Sequence, residues 1–266
     1  ITSSHSLTES EKTIMKNIFI SLVFLFLFGH ISAQVNVKDS SIFAPMIYGF
    51  YGFNFPSGDL AERYGNFSEV GPGFQIKLKS NWLFGVEYSH YWGAKVKNED
   101  QILQHILTAD GQAIATDGTY ASFYMKGRGF RISGFFGKLF PVLSPNPNSG
   151  IIIKAGVGYI QNWIRIRINQ DKVIPSFEGD YAKGYDRLTS GLAINEFIGY
   201  LFMGNTRILN FYVGFEFMQS GTQNRREVDF DTGLKEEGNR FDALNGFKIG
   251  WIIPIYKRTP KEYYYY

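Results

Sequence analysis

From residue 82 to residue 93 the large apolar residues fall on every second position. Trp82, Phe84, Val86, Tyr88 and Trp92 share one parity; Leu83, Gly85, Glu87, Ser89 and Tyr91 share the other. Side chains of a strand alternate between faces, so the stretch predicts a strand with one bulky apolar face and one small or polar face. A soluble half-buried strand would place a carboxylate beside other charges in water. Here Glu87 stands alone among small residues, and Trp and Tyr mark both ends of the apolar face, the arrangement of a lipid-facing barrel strand.

The same alternation recurs along the chain. Over 69–79, Val70, Phe74, Ile76 and Leu78 alternate with Gly71, Gly73, Gln75, Lys77 and Lys79. Over 207–218, Leu209, Phe211, Val213, Phe215 and Phe217 alternate with Asn210, Tyr212, Gly214 and Glu216, and over 243–256 Phe247, Ile249, Trp251, Ile253 and Ile255 alternate with Gly246, Lys248, Gly250 and Pro254. Further strands are predicted at 46–54, 120–139, 151–168 and 192–203. The pattern survives in 120–139 and 151–168 only if it changes phase, near 127–129 and near 160–162, which predicts β-bulges there. Around Asn195, Glu196 and Phe197 the facing is undecided.

The connections alternate long and short: 55–68 then 80–81, 94–119 then 140–150, 169–191 then 204–206, and 219–242 before the last strand. Short turns at one rim and long loops at the other are the layout of an outer-membrane barrel with both termini periplasmic. The chain therefore predicts an all-β fold, an eight-stranded antiparallel up-and-down transmembrane β-barrel over 34–256. Eight strands enclose a lumen that side chains fill. The charged residues expected to point inward are Lys77, Lys79, Glu87, Arg131, Lys154, Glu216 and Lys248, and in so narrow a space they must pair, forming a plug.

One apolar run, 18–28, broken only by Ser21, follows Lys16 and precedes Ser32 and Ala33. It is shorter than the roughly 20 residues a spanning helix needs, so 15–33 reads as a signal peptide cut after Ala33, with 1–14 an upstream extension. Export with no cysteine leaves stability to sheet closure and packing. Aromatic residues make up 17% of the chain, with 25 Phe and 17 Tyr beside 29 Gly, while a net charge of +3 gives no sign of a nucleic-acid partner.

The long loops are where binding belongs. In the second, 99–107 has helix-like composition with Ile102, Leu103, Ile106 and Leu107 clustered, and Asp110-Gly111 and Asp117-Gly118 mark turns. A short amphipathic helix followed by a hairpin is expected, or a docking surface for a partner. In the fourth loop, Asp229, Asp231, Glu236 and Glu237 lack the spacing of a calcium loop and read as solvated charge. Past residue 33 the histidines are His90 and His105. Ser89 and His90 are neighbours on a strand and so face opposite ways, which does not make a nucleophile and its base. No cofactor, metal site or small-molecule ligand is expected. The tail 257–266 ends in Tyr263, Tyr264, Tyr265 and Tyr266, either an interfacial anchor or a periplasmic docking peptide.

The Ser-Ala-Gln ending of the leader, the eight-strand layout and the glycine- and aromatic-rich strands together resemble the small outer-membrane barrels of the Bacteroidota, grouped as PorT-like or OmpA-like barrel domains. The resemblance implies an outer-membrane location and a non-enzymatic role as scaffold or accessory subunit in envelope secretion or assembly, with outer-membrane lipid and other envelope proteins as partners. The alternatives are a lipid-modifying enzyme and a narrow porin-like channel. Against full-length OmpA-like proteins the resemblance covers the barrel alone, and no peptidoglycan-binding domain is expected.

Overall fold

The computed structural model describes residues 40–168, 172–204 and 208–255. The leader, the upstream extension and the tyrosine tail lie outside the described residues. Eight strands close into an antiparallel ring: β1 (Ala44–Gly58), β2 (Phe67–Lys77), β3 (Trp82–Lys95), β6 (Phe123–Phe140), β7 (Gly150–Ile168), β8 (Thr189–Met203), β9 (Asn210–Asn224) and β10 (Arg240–Pro254). Each strand pairs with its neighbours in the chain, and β1 pairs with β10 to close the sheet. Beyond the ring, the second long loop carries a two-stranded hairpin, β4 (Ala113–Ile114) with β5 (Tyr120–Ala121).

The expected facing is present. Trp82, Phe84, Val86 and Tyr88 stand exposed on the outer wall of β3, and Phe247, Ile249, Trp251 and Ile253 do so on β10, while Glu87, Ser89 and Lys248 are buried in the lumen. Such a band of large exposed apolar side chains around a closed ring has hydrocarbon as its solvent. Following directly paired residues around the ring from Phe55 passes through Phe217 and Ala155 and returns to β1 at Pro45. That stagger is the tilt a closed sheet requires.

The predicted bulges in β6 and β7 are absent. These strands pair without interruption from Phe123↔Ile168 to Phe140↔Ile151, and each keeps a single inward parity. What changes is the solvent. At the loop end both strands rise past the apolar band into water, so Met125, Ile160 and Ile164 are buried inside while Lys126, Arg128, Arg165 and Arg167 occupy the outward positions. Polarity inverts where the medium outside changes from lipid to water, and the backbone needs no adjustment.

A register shift lies instead in β3, between Tyr91 and Ala94 against β6, where Gly93 has φ +90°. That left-handed conformation suits glycine, and the extra residue switches the inward parity from Tyr91 to Ala94. It turns Ala94 and Val96 into an apolar core above the membrane band. This core gathers Leu60, Tyr64, Phe67, Leu103, Ile164 and Phe177 with other loop residues. Each fully buried Leu or Phe there contributes about 1.5–3 kcal/mol, so the loops form an ordered roof.

Short helices take part in that roof. α1 (Asp59–Arg63) buries Leu60, and α2 (Glu99–Ile102) buries Ile102. The predicted helix over 99–107 is thus one turn long, continued by turns closing at Ile106 and Leu107. Both Asp-Gly pairs make turns as expected, with Gly111 at φ +71° and Gly118 at φ +76°.

Candidate functional site

The lumen is filled in layers. At the turn end, Lys77 Nζ donates to Ser41 Oγ (3.0 Å), the Ile42 carbonyl (3.3 Å) and Asn148 Oδ1 (2.9 Å). Asn148 also donates to the Ser40 carbonyl (2.8 Å), so residues 40–42 are laced across the base of the ring. Above this, Lys154 Nζ lies 4.5–4.8 Å from the ring centres of Phe135, Phe197 and Tyr212, an aromatic box that solvates the ammonium by cation–π attraction. Inward glycines make room for the rings: a Cβ on Gly73 would overlap Tyr48, and one on Gly250 would overlap Tyr212.

The central layer is an ion cluster. Arg131 Nη2 donates to both oxygens of Glu216 (2.8 and 2.9 Å) and to Glu87 Oε1 (3.3 Å), and lies 3.7 Å from Glu69. Lys248 Nζ reaches Glu69, Glu87 and Glu216 at 3.1, 2.6 and 2.7 Å. Tyr48 donates to Glu87 (3.1 Å), and Asn54 and Ser89 donate to Glu69 (2.6 and 3.0 Å). Three carboxylate oxygens close enough to hold a metal ion are thus neutralised by an ammonium and a guanidinium, with Lys154 below balancing the third charge.

Of the residues expected to line the lumen, Glu87, Arg131, Glu216 and Lys248 meet in this cluster. Lys154 sits in the adjoining aromatic layer, and Lys77 seals the base. Lys79 does not belong: β2 ends at Lys77, and Lys79 is exposed in the turn. Glu69 was missed, although it shares the parity of Gly71, Gly73 and Gln75 and that signal was legible.

Around the roof, a cleft of about 420 Å³ is lined by Asp59, Arg63, Tyr64, Gln101, Arg187 and Arg240 among others. Arg63 pairs with Asp242 at 2.5 Å, and burial pushes the Tyr64 phenol up to about 12. Arg187, from the third long loop, binds Asp229 (3.3 Å), Asp231 and Glu236 (3.3 Å) of the fourth. The expectation of solvated charge fails here: Asp229 and Asp231 are buried and clamp a guanidinium between two loops.

Burial holds the Asp229 carboxyl above its ordinary range, although Arg187 beside it acts the other way. The folded state then keeps that proton to higher pH than the unfolded chain does. The associated stability is present below the unfolded carboxylate value and is lost as pH rises through the folded one. Asp229→Asn is therefore expected to gain stability relative to wild type as the pH rises from acid to 7, whereas Arg187→Ala should expose 225–239 to protease at both pH values. Limited proteolysis of the folded barrel measures both; an Asp229→Asn variant that loses stability relative to wild type as the pH rises would refute the assignment.

His90 and Ser89 behave as a strand neighbour pair must. Ser89 points into the lumen at Glu69, and His90 lies outside, stacked with Trp92 at 6.3 Å. His105 contacts the Asp231 carbonyl at 3.1 Å.

The sixth barrel strand, undecided in the sequence, resolves with Asn195 and Phe197 inward and Glu196 outward. Glu196 stands between exposed Ile194 and Ile198, and its direct cross-strand partners are Ala155 and Phe217. It makes no hydrogen bond or ion pair among the described residues, so a carboxylate faces the apolar band.

The closed ring, its apolar outer band and its side-chain plug define an eight-stranded membrane-spanning barrel. No protein-family model matches the chain, and no curated protein matches it. Among solved structures it is similar to neisserial surface protein A (10% identity, TM-score 0.37, 78% of this chain and 96% of that one). It is also similar to Ail, the attachment invasion locus protein of Yersinia pestis (6%, 0.38, 79% and 98%), and to the outer membrane protein OprG of Pseudomonas aeruginosa (9%, 0.37, 82% and 99%).

Proposed function

We propose that this chain is a non-enzymatic outer-membrane barrel that serves as a scaffold or accessory subunit of an envelope secretion or assembly machinery. The observation that carries the reading is Glu196. A carboxylate in contact with hydrocarbon is costly, and ionisable groups at membrane depth mark pairing or function. Among the described residues the wall around it offers no donor of its own, and the outward lysines and arginines of β6 and β7 stand at the rims of the apolar band. A second copy docked face to face on β8 would bring carboxylate to carboxylate. The complement is a different membrane-embedded chain that presents a cation or amide at that depth. The likeness to small PorT-like and OmpA-like barrels of the Bacteroidota favours the same role.

Photocrosslinking in native membranes tests this, with a benzophenone amino acid at Ile198 and, as control, at Val70 on the opposite wall. The expected result is a single heterologous adduct from Ile198 that is lost in Glu196→Leu, with the crosslinked peptide carrying a basic or amide residue. Adducts to lipid alone, or an adduct indifferent to Glu196→Leu, would overturn the reading. The channel alternative predicts conductance in planar bilayers, against which stand the lumen layers. The enzyme alternative requires His90, which the strand turns away from Ser89.

A further inference from the structure

Outside the ring, at the loop end of β3, β6 and β7, five cations share one outward patch: Lys95, Lys126, Arg128, Arg165 and Arg167. Their register is unusual. Lys95 pairs directly with Lys126, and Lys126 pairs directly with Arg165, so three cations stand in one row across three strands. Like charges directly opposite on adjacent strands repel. Arg128 faces Trp163 one position pair lower, and Arg167 faces Tyr124 one pair higher. None of the five forms an ion pair among the described residues, and Arg128 Nε is buried without a hydrogen-bond partner. Glu99 of α2 lies at one edge, where Lys95 and Lys126 draw its carboxyl down against the larger upward effect of burial.

The height of the row fixes its surroundings. Immediately below lies an aromatic girdle in which Phe130 contacts Tyr88 (6.2 Å), Tyr159 (6.3 Å) and Trp163 (6.3 Å), with His90 on Trp92 alongside. Such girdles sit where hydrocarbon meets headgroups. The next outward level up is therefore the headgroup layer, where phosphates are the dominant anions. Three of the five cations, Arg128, Arg165 and Arg167, are arginines, and a guanidinium binds phosphate with two parallel N–H donors.

We propose that the Lys95–Lys126–Arg165 row, with Arg128 and Arg167, is a binding site for the phosphate groups of an anionic lipid in the leaflet on the loop side. The bound phosphates bridge cations that otherwise repel, so the strand register is maintained by lipid as well as by backbone hydrogen bonds. The site is independent of any protein partner on β8.

The test uses the full barrel folded into phosphatidylcholine vesicles with or without a minor fraction of diphosphoryl lipid A. Lys126→Gln combined with Arg165→Gln is compared with a charge-matched control, Lys183→Gln combined with Lys235→Gln. Removal of two surface cations should weaken lipid A binding about thirtyfold, read by titration with fluorescent lipid A, while the control binds as wild type. In phosphatidylcholine alone the row variant should unfold at an equal or higher urea concentration than wild type, because repulsion is relieved. Unchanged lipid A binding, or a loss equal to that of the control pair, would overturn the proposal. So would displacement of lipid A by inorganic phosphate at matched charge, which would make this a soluble-anion site.

Discussion

Arg131→Ala is expected to lower the unfolding free energy by about 3–5 kcal/mol, because it leaves buried carboxylates without their guanidinium. Glu216 loses two hydrogen bonds at 2.8 and 2.9 Å, and Glu87 loses one at 3.3 Å. Lys248 alone would then face Glu69, Glu87 and Glu216. The cost arises from an uncompensated charge in a narrow lumen and only slightly from lost volume. Pairing Arg131→Met with Glu216→Leu should therefore recover much of the loss, since apolar replacement of a complete buried ion pair is often neutral. Urea unfolding in vesicles, followed by tryptophan fluorescence, gives both numbers. A double variant as unstable as the single one would show that packing, and not charge balance, governs this layer.

Val86→Arg is expected to cost about 2–4 kcal/mol, the price of an arginine facing the middle of the bilayer. Val86 is 57% exposed yet flanked on the outer wall by Phe84 and Tyr88. The same substitution at Val142, 52% exposed in the turn beyond β6, should cost close to nothing. Equal accessibility with unequal cost is the signature of lipid on one residue and water on the other. Equal effects at the two positions, measured by the same urea titration, would contradict a membrane-spanning band.

Much of the candidate site was legible residue by residue. Glu87, Arg131, Glu216 and Lys248 share the inward parity of their strands, and narrowness forces them to pair. Lys79 was misread because parity continues past the point where a strand stops: β2 ends at Lys77, and the turn releases the next lysine into water. The bulges expected in β6 and β7 came from treating inward as polar along the whole strand. That rule holds only beside lipid, and above the band Ile160 and Ile164 point inward for the ordinary reason that water lies outside.

Alternation with period two, and turns of alternating length, were enough by themselves to determine an eight-stranded antiparallel barrel with an apolar exterior, because strand geometry ties each side chain to one face. Tertiary structure alone decided three things: the outward facing of Glu196, the burial of Asp229 and Asp231 around Arg187, and the alignment of Lys95, Lys126 and Arg165 in one row. Each depends on register between segments distant in the chain. Local spacing fixes the face on which a residue lies, but the residue it meets there is set by closure and tilt of the whole ring.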